Sequence, residues 1–392
     1  MSIYKRASGR WAVLVDQEGG ANAPRRRTSL GTFATKKEAE KAEREALQAR
    51  DHGFDIVPSR LTLDEVFARF MRDAEARNLS GTTLHRYRQL WAYAAPISGT
   101  KVDRLRPVQL ADLYANLQRA GGKDGRALAP RSVQHLHTLL HGMLAWAIRL
   151  ELVARNVADA VEPPRGGRKK AVPYQAVDAS RLVAEAGKTR HGPLVVFAFQ
   201  TGLRRGELCA LKWSDVNFMR RTATIRGSIA QIPKRTWYKA TKTDLIATIA
   251  LSNLAIEALH IQRTIVDADA EATGEHYRDD GYVFAAPGGG YANPGSIGNA
   301  VRRIARRAGL AVSSLHSMRH STGSFLIADG VDIRTVAAIL RHSATSTTLN
   351  IYAHELTGAQ AAAVAGLDRR LRVPSDGNRM ATDGPSSDEK TA

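Results

Sequence analysis

Along the first third of the chain the spacing of apolar and polar positions changes character twice. "SIYKR" and "WAVLVD" alternate in strand fashion on either side of Ala7-Ser8-Gly9, which predicts two strands joined by a turn, and "RTSLGTF" predicts a third. "TKKE" then sets Thr35 as an N-cap with Glu38 three positions on, a capping box opening a helix to about Arg50. Residues 51–60, "DHGFDIVPSR", read as a linker. From Leu61 the period is helical. Leu63, Val66, Phe67 and Phe70 share a face, and Thr62 with Glu65 forms a second capping box. Further helices are expected near 80–95, 107–120, 129–150 and 153–161, so that 61–163 forms one all-helical domain.

"EPPRGGRKKAVP" interrupts this pattern with helix-breaking Pro and Gly, and it places a basic linker at 164–171. A larger domain follows over 172–371. In it "PLVVFAF" suits a buried helix turn, "TATIRGSI" a strand, and "YKATKTDLIATIAL" a strand after a turn. "GVDIRTVAAILRHS" reads as a helix packing Val336, Ile339 and Leu340. The last residues, 372–392, are poor in apolar side chains and expected to be disordered. The expected fold is multidomain and mainly α with small β-sheets: a three-stranded sheet plus helix over 1–58, a helical domain, and a mixed α/β domain.

Charge narrows the function. Among 392 residues, 57 Lys and Arg face 38 Asp and Glu, a formal charge of +19, which points to a polyanion and first of all to nucleic acid. An anionic membrane would want an amphipathic basic anchor or a lipidation signal, and neither is evident. No apolar run approaches transmembrane length, and "MSIYKRASGRW" lacks the apolar core of a signal peptide. The single cysteine, Cys209, excludes an intrachain disulfide framework and a cysteine-based zinc site. A soluble cytoplasmic, nucleoid-associated protein is expected.

Candidate phosphate contacts fall in three places. Lys5, Arg6, Arg10, Arg25, Arg26 and Arg27 crowd the first strands, a pattern that suits a sheet entering a major groove and equally a solvated charged face. Thr82, Thr83, Arg86 and Arg131 sit on early helix turns, where hydroxyl and basic side chains suit phosphates. Lys169 and Lys170 belong to the basic linker.

Four stretches of the last domain carry candidate chemistry. In "TGLRRGELCALKWSDV", Thr201 and Gly202 end one helix and begin another, which puts Arg204 at a helix start, where free N–H groups favour anions. Glu207 either orients Arg204 or forms a surface pair, and Cys209 reads as a small buried hydrophobe. A lysine at a hairpin turn, Lys242 or Lys239, is a candidate proton donor. In "SLHSMRHSTGSFLIADG", His316 and Arg319 share a helix face. His316 and His320 have metal-ligand spacing, but the glutamate of hydrolytic zinc helices and a third ligand are missing, so no metal is expected. "LRHSATSTTLNIYAHE" brackets small and hydroxyl residues with His342 and His354 and carries Tyr352 near its end.

These stretches together resemble the catalytic domain of the tyrosine recombinases, the phage integrase family. "TGLRRGEL", "TKTDLIATIAL", "HSMRH", "LRHSATSTT" and "NIYAH" stand in that family's order with similar gaps. The likeness covers 172–360 strongly. It extends more weakly to the helical segment, similar to a core-binding domain, and to the N-terminal sheet, which looks like an arm-binding domain. It implies a site-specific DNA recombinase of a phage or mobile element that cleaves and rejoins DNA through a 3′-phosphotyrosyl bond, without cofactor or metal. The implied catalytic set is Arg204, Lys242, His316, Arg319, His342 and Tyr352, the last as nucleophile. Lys242 is favoured over Lys239 by its distance to the strand end at Ala250–Leu251.

Implied partners are double-stranded DNA attachment sites, a homotetramer on DNA, a DNA-bending host factor and an excisionase. Two positions depart from the family pattern. Met318 stands for a common leucine. Arg341 stands for the usual glycine before His342, where glycine best tolerates a left-handed cap. A type IB topoisomerase-like enzyme and a non-catalytic DNA-binding regulator are the competing readings, and five ordered matches weigh against the second.

Overall fold

The computed structural model describes residues 2–17, 26–51, 61–122, 125–166, 172–240, 246–311 and 314–341. Its contacts divide the chain into two compact units, Met1–Lys169 and Lys170–Ala392. In the first unit, strands β1 (Ser2–Lys5), β2 (Trp11–Gln17) and β3 (Arg26–Phe33) form an antiparallel sheet in that order, with a bulge between Val13 and Leu14. Helix α1 (Lys36–Asp51) follows, and the Thr35–Glu38 capping box is made on both sides: Glu38 N donates to Thr35 Oγ1 at 3.2 Å, and Thr35 N to Glu38 Oε2 at 3.3 Å.

The helical segment contains α2 (Leu63–Ala76), α3 (Gly81–Trp91), α4 (Ala95–Ser98), α5 (Pro107–Ala120) and α6 (Pro130–Arg149). Leu63, Val66, Phe67 and Phe70 bury one face of α2, as their period predicts, against Leu136, Leu140, Met143 and Trp146 of α6. Phe67 stacks on Trp91 with ring centroids 4.2 Å apart. The helix expected over 153–161 is a single 3₁₀ turn, Val157–Ala160. Two features set where it starts. Glu151 is left-handed at φ +55°, and Asn156 turns its side chain back to accept from Ala158 N at 3.1 Å.

The second unit begins with α7 (Ala176–Gly187), α8 (Gly192–Thr201) and the short α9 (Arg205–Ala210). Strands β4 (Val216–Asn217), β5 (Thr222–Ile225), β6 (Gly227–Ile232), β7 (Arg235–Ala240) and β8 (Ala247–Ala250) come next. Then follow α10 (Asn253–Thr273), α11 (Pro294–Arg307), α12 (Leu315–Ala328) and α13 (Ile333–Ile339). The single strand expected over "TATIRGSI" is two. Among the described residues β5 pairs with β4 and β8, whereas β6 pairs with β7 alone, and Arg226 at the break bonds Asp215 Oδ1 through Nε at 2.7 Å.

This topology corrects the expected position of Lys239. The turn of the β6–β7 hairpin falls at Pro233 and the left-handed Lys234, and Lys239 lies within β7 opposite Ser228. Lys242 falls between β7 and β8, which belong to different ladders, and lies outside the described residues. Helix α8 is buried through Leu194, Val195, Phe197 and Ala198, and α12 is tied to it by Thr322 Oγ1 donating to Phe199 O at 2.8 Å. Cys209 is fully buried in this core. Among the described residues no helix is long and apolar enough to cross a membrane.

Candidate active site

The site begins where α8 ends. Gly202 is left-handed at φ +59°, a conformation that favours glycine, and a Cβ there would stand 2.6 Å from the Leu340 Cδ2 methyl, which would have to shift to admit it. Arg204 follows as N-cap of α9. Gly206 has no room for a side chain either, since a Cβ would lie 2.2 Å from Ser228 Oγ and 2.7 Å from Ile229 O. Helix α9 therefore lies directly on β6, and Arg204 projects beside the sheet.

Glu207 settles which of its two expected roles applies. It is only 8% exposed, and its carboxylate accepts three bonds: Arg204 N to Oε2 at 2.8 Å, Arg204 Nη1 to Oε1 at 2.9 Å, and Arg341 Nη2 to Oε2 at 2.6 Å. Burial by itself would raise the carboxyl, but the Arg341 charge and the Arg204 hydrogen bonds outweigh it and hold the group below the usual carboxylate range. Arg204 also reaches Arg341 O through Nη2 at 3.2 Å, while its side chain stays 48% exposed.

Arg319 is its opposite. It is 2% exposed, its Nη1 donates to Gly202 O at 2.6 Å, and its Nη2 donates to Leu340 O. One guanidinium thus joins the end of α8 to the end of α13. His316, one turn earlier on α12, stays open at its surface. Partial burial of its ring and the charges of Arg319 and Arg204 lower its pKa from the ordinary imidazole value. His320 packs edge-on against it with centroids 4.4 Å apart, and burial with the charges of His316 and Arg319 brings His320 down to about 4. Among the described residues no three His, Cys, Asp or Glu side chains gather in a metal-binding group.

A cavity of about 450 Å³ collects Arg204, His316 and Arg319 on one wall system. Arg205, Arg302 and Gln231 line it as well. These three were not singled out from the sequence. Arg302 belongs to the basic run "VRRIARR" of α11, whose charge was the available signal. His342 and Tyr352 of the expected catalytic set lie outside the described residues, as do Arg25, Lys169 and Lys170.

The other candidate phosphate contacts scatter over the first unit. Lys5, Arg6 and Arg10 are exposed, and Arg10 Nη2 reaches Thr32 O at 3.4 Å. Arg26 and Arg27 pair with Gln17 and Asp16 in the β2–β3 ladder. Thr82 and Thr83 are half-buried and share their hydroxyls with Ser80 Oγ at 3.1 and 2.8 Å, which makes them members of the α3 cap. Arg86 and Arg131 are exposed on α3 and α6, and both lower the pKa of His135 after burial has done so.

Residues 174–358 match the phage integrase family. That family, the tyrosine recombinases, breaks and rejoins DNA, and the match covers the segment that holds Arg204, His316 and Arg319. A tyrosine recombinase XerC-like protein of Caldanaerobacter subterraneus subsp. tengcongensis is 24% identical over 85% of this chain and 90% of its own length. The Tn1549 transposon integrase in complex with transposon right-end DNA matches the fold with a TM-score of 0.65 at 18% identity, over 80% of this chain and 100% of its own. A lambda integrase tetramer bound to a Holliday junction matches with a TM-score of 0.56 at 16% identity, over 89% and 94%. Together these likenesses support site-specific DNA recombination as the activity of this chain.

Proposed function

We propose that Arg204, His316 and Arg319, together with Lys242, His342 and Tyr352, form the DNA-cleaving centre of an integrase carried by a phage or mobile element. The observation that carries this reading is the shared cavity, in which two arginines and a histidine meet although Arg319 and its anchor Gly202 stand 117 positions apart. The phenolic oxygen of Tyr352 attacks the phosphorus of a DNA phosphodiester and gives up its proton, with His316 assisting. The P–O5′ bond breaks, Lys242 protonates the departing 5′-oxygen, and a 3′-phosphotyrosyl bond remains. Arg204 and Arg319 meet the charge that grows on the nonbridging oxygens, and His342 adds a hydrogen bond. The covalent bond conserves the phosphodiester energy, so a 5′-hydroxyl of a second duplex reverses the reaction without ATP.

The charge distribution supports a division of labour. The sheet over 1–58 holds outlying DNA, 61–163 contributes to core-site binding, 172–371 carries the cleavage chemistry, and the basic 164–171 contacts the DNA backbone. DNA attachment sites are the partners, and exchange of two duplexes calls for four active sites, hence a homotetramer like the lambda integrase assembly. A bending host factor and an excisionase complete the expected set, and the cytoplasm, at the nucleoid, is the expected place of action. Tyr352→Phe tests the centre, because it removes only the phenolic oxygen. It should bind a nicked suicide substrate yet leave no protein–DNA adduct on a denaturing gel, and a persisting adduct would refute the nucleophile assignment.

A further inference from the structure

We infer that Arg341 is a positioning residue of this recombinase, which keeps Arg204 available to phosphate by occupying the other side of Glu207. The inference rests on the reading of Arg204 as a phosphate-gripping group. Glu207 is a buried carboxylate with two oxygens, and an arginine beside it is disposed to take both in a two-pronged pair. Here that arrangement is blocked. Oε2 accepts from Arg341 Nη2 at 2.6 Å as well as from the Arg204 backbone N at 2.8 Å, and the Arg204 guanidinium is left with Oε1 through a single nitrogen at 2.9 Å. The second nitrogen of Arg204 is turned instead to the Arg341 carbonyl at 3.2 Å. Arg341 therefore fixes Arg204 at two points, once through the shared carboxylate and once through its own backbone.

The burial of the two side chains fits these roles. Arg341 is 12% exposed and Arg204 48% exposed, so one arginine is sequestered on the acid while the other keeps N–H donors toward the cavity. The backbone points the same way. Arg341 is left-handed at φ +52°, a conformation that glycine adopts freely and arginine does not. The strain has a counterpart in the structure, because this turn aims the guanidinium back at Glu207, 134 positions away in sequence. A glycine here would relax the backbone and remove the competing guanidinium from Oε2, which lets the Arg204 guanidinium turn further onto the carboxylate and away from the cavity.

Arg341→Gly separates positioning from folding, since it relieves the backbone while it removes the guanidinium. The melting temperature should hold or rise, and affinity for core-site DNA should stay within about twofold, while single-turnover cleavage of a suicide substrate falls about 10-fold. Arg341→Lys should recover part of that loss, because an ammonium can still hold Oε2. In the Glu207→Gln background the same Arg341→Gly change should cost much less, because the two act through one group. Cleavage by Arg341→Gly at the parental rate, or equal losses in both backgrounds, would overturn the inference. Failure of the phosphate-site reading would look different: Arg204→Lys would then cleave normally, whatever Arg341 does.

Discussion

Two basic regions of this protein hold their charge in opposite ways. On the N-terminal sheet Lys5, Arg6 and Arg10 lie open to solvent, and the one described side-chain hydrogen bond among them is the long one from Arg10 to Thr32 O. Around the cavity both described guanidinium groups of the expected catalytic set are fastened: Arg204 to Glu207, and Arg319 to two backbone carbonyls. The first kind of charge attracts DNA at a distance and falls away with salt. The second kind is oriented in advance and needs no reorganisation when a phosphate becomes more negative during reaction. Net charge counts the two alike, but their chemistry differs.

The sharpest way to break this contrast is Arg319→Lys. Lysine keeps the charge but cannot bridge Gly202 O and Leu340 O with one planar group, so cleavage should fall about 100-fold in single-turnover assays, with DNA affinity far less affected. Near-parental cleavage would mean that fixed geometry at Arg319 is unimportant.

Gly202→Ala attacks the same scaffold without touching a charge. The left-handed φ and the approach of Leu340 should make it cost about 1–3 kcal/mol, read as a lower denaturant midpoint with unchanged slope. An unchanged midpoint would show that the turn has slack.

Acid should act on the fastened region and spare the open one. The pKa of His320 falls from the ordinary 6.5 to about 4 in the fold, so the unfolded chain binds that proton more readily. The stability tied to its neutral form is complete above pH 6.5 and is lost as pH falls toward 4. Thermal melts should show this slope, and His320→Gln should flatten it; an equal slope in the variant would place the sensitivity elsewhere.

The smallest effect belongs to the open charges. Replacing Lys5, Arg6 and Arg10 with Gln should leave stability and core-site cleavage unchanged. It should lower the slope of log K against log salt on long DNA by about 0.9 for each phosphate no longer neutralised. An unaltered slope would mean that these strands do not touch DNA.

Sequence alone determined the elements whose signals are local. Capping boxes at Thr35 and Thr62 and the apolar face of α2 formed as their spacing requires, because each depends on neighbours within one or two turns. Arg204 could likewise be placed at a helix start from Thr201 and Gly202. Only the tertiary structure decided what crosses long separations. "TATIRGSI" looks continuous as a string, yet its halves join different ladders because their partners, β8 and β7, are chosen by packing. The role of Glu207 stayed open in the sequence because one of its two arginine partners is distant. Arg341 appeared there only as a missing glycine, and its meaning came from the fold that brings the end of α13 against α9. A hydrogen bond across 134 positions leaves no period in the chain, so the folded geometry alone could reveal it.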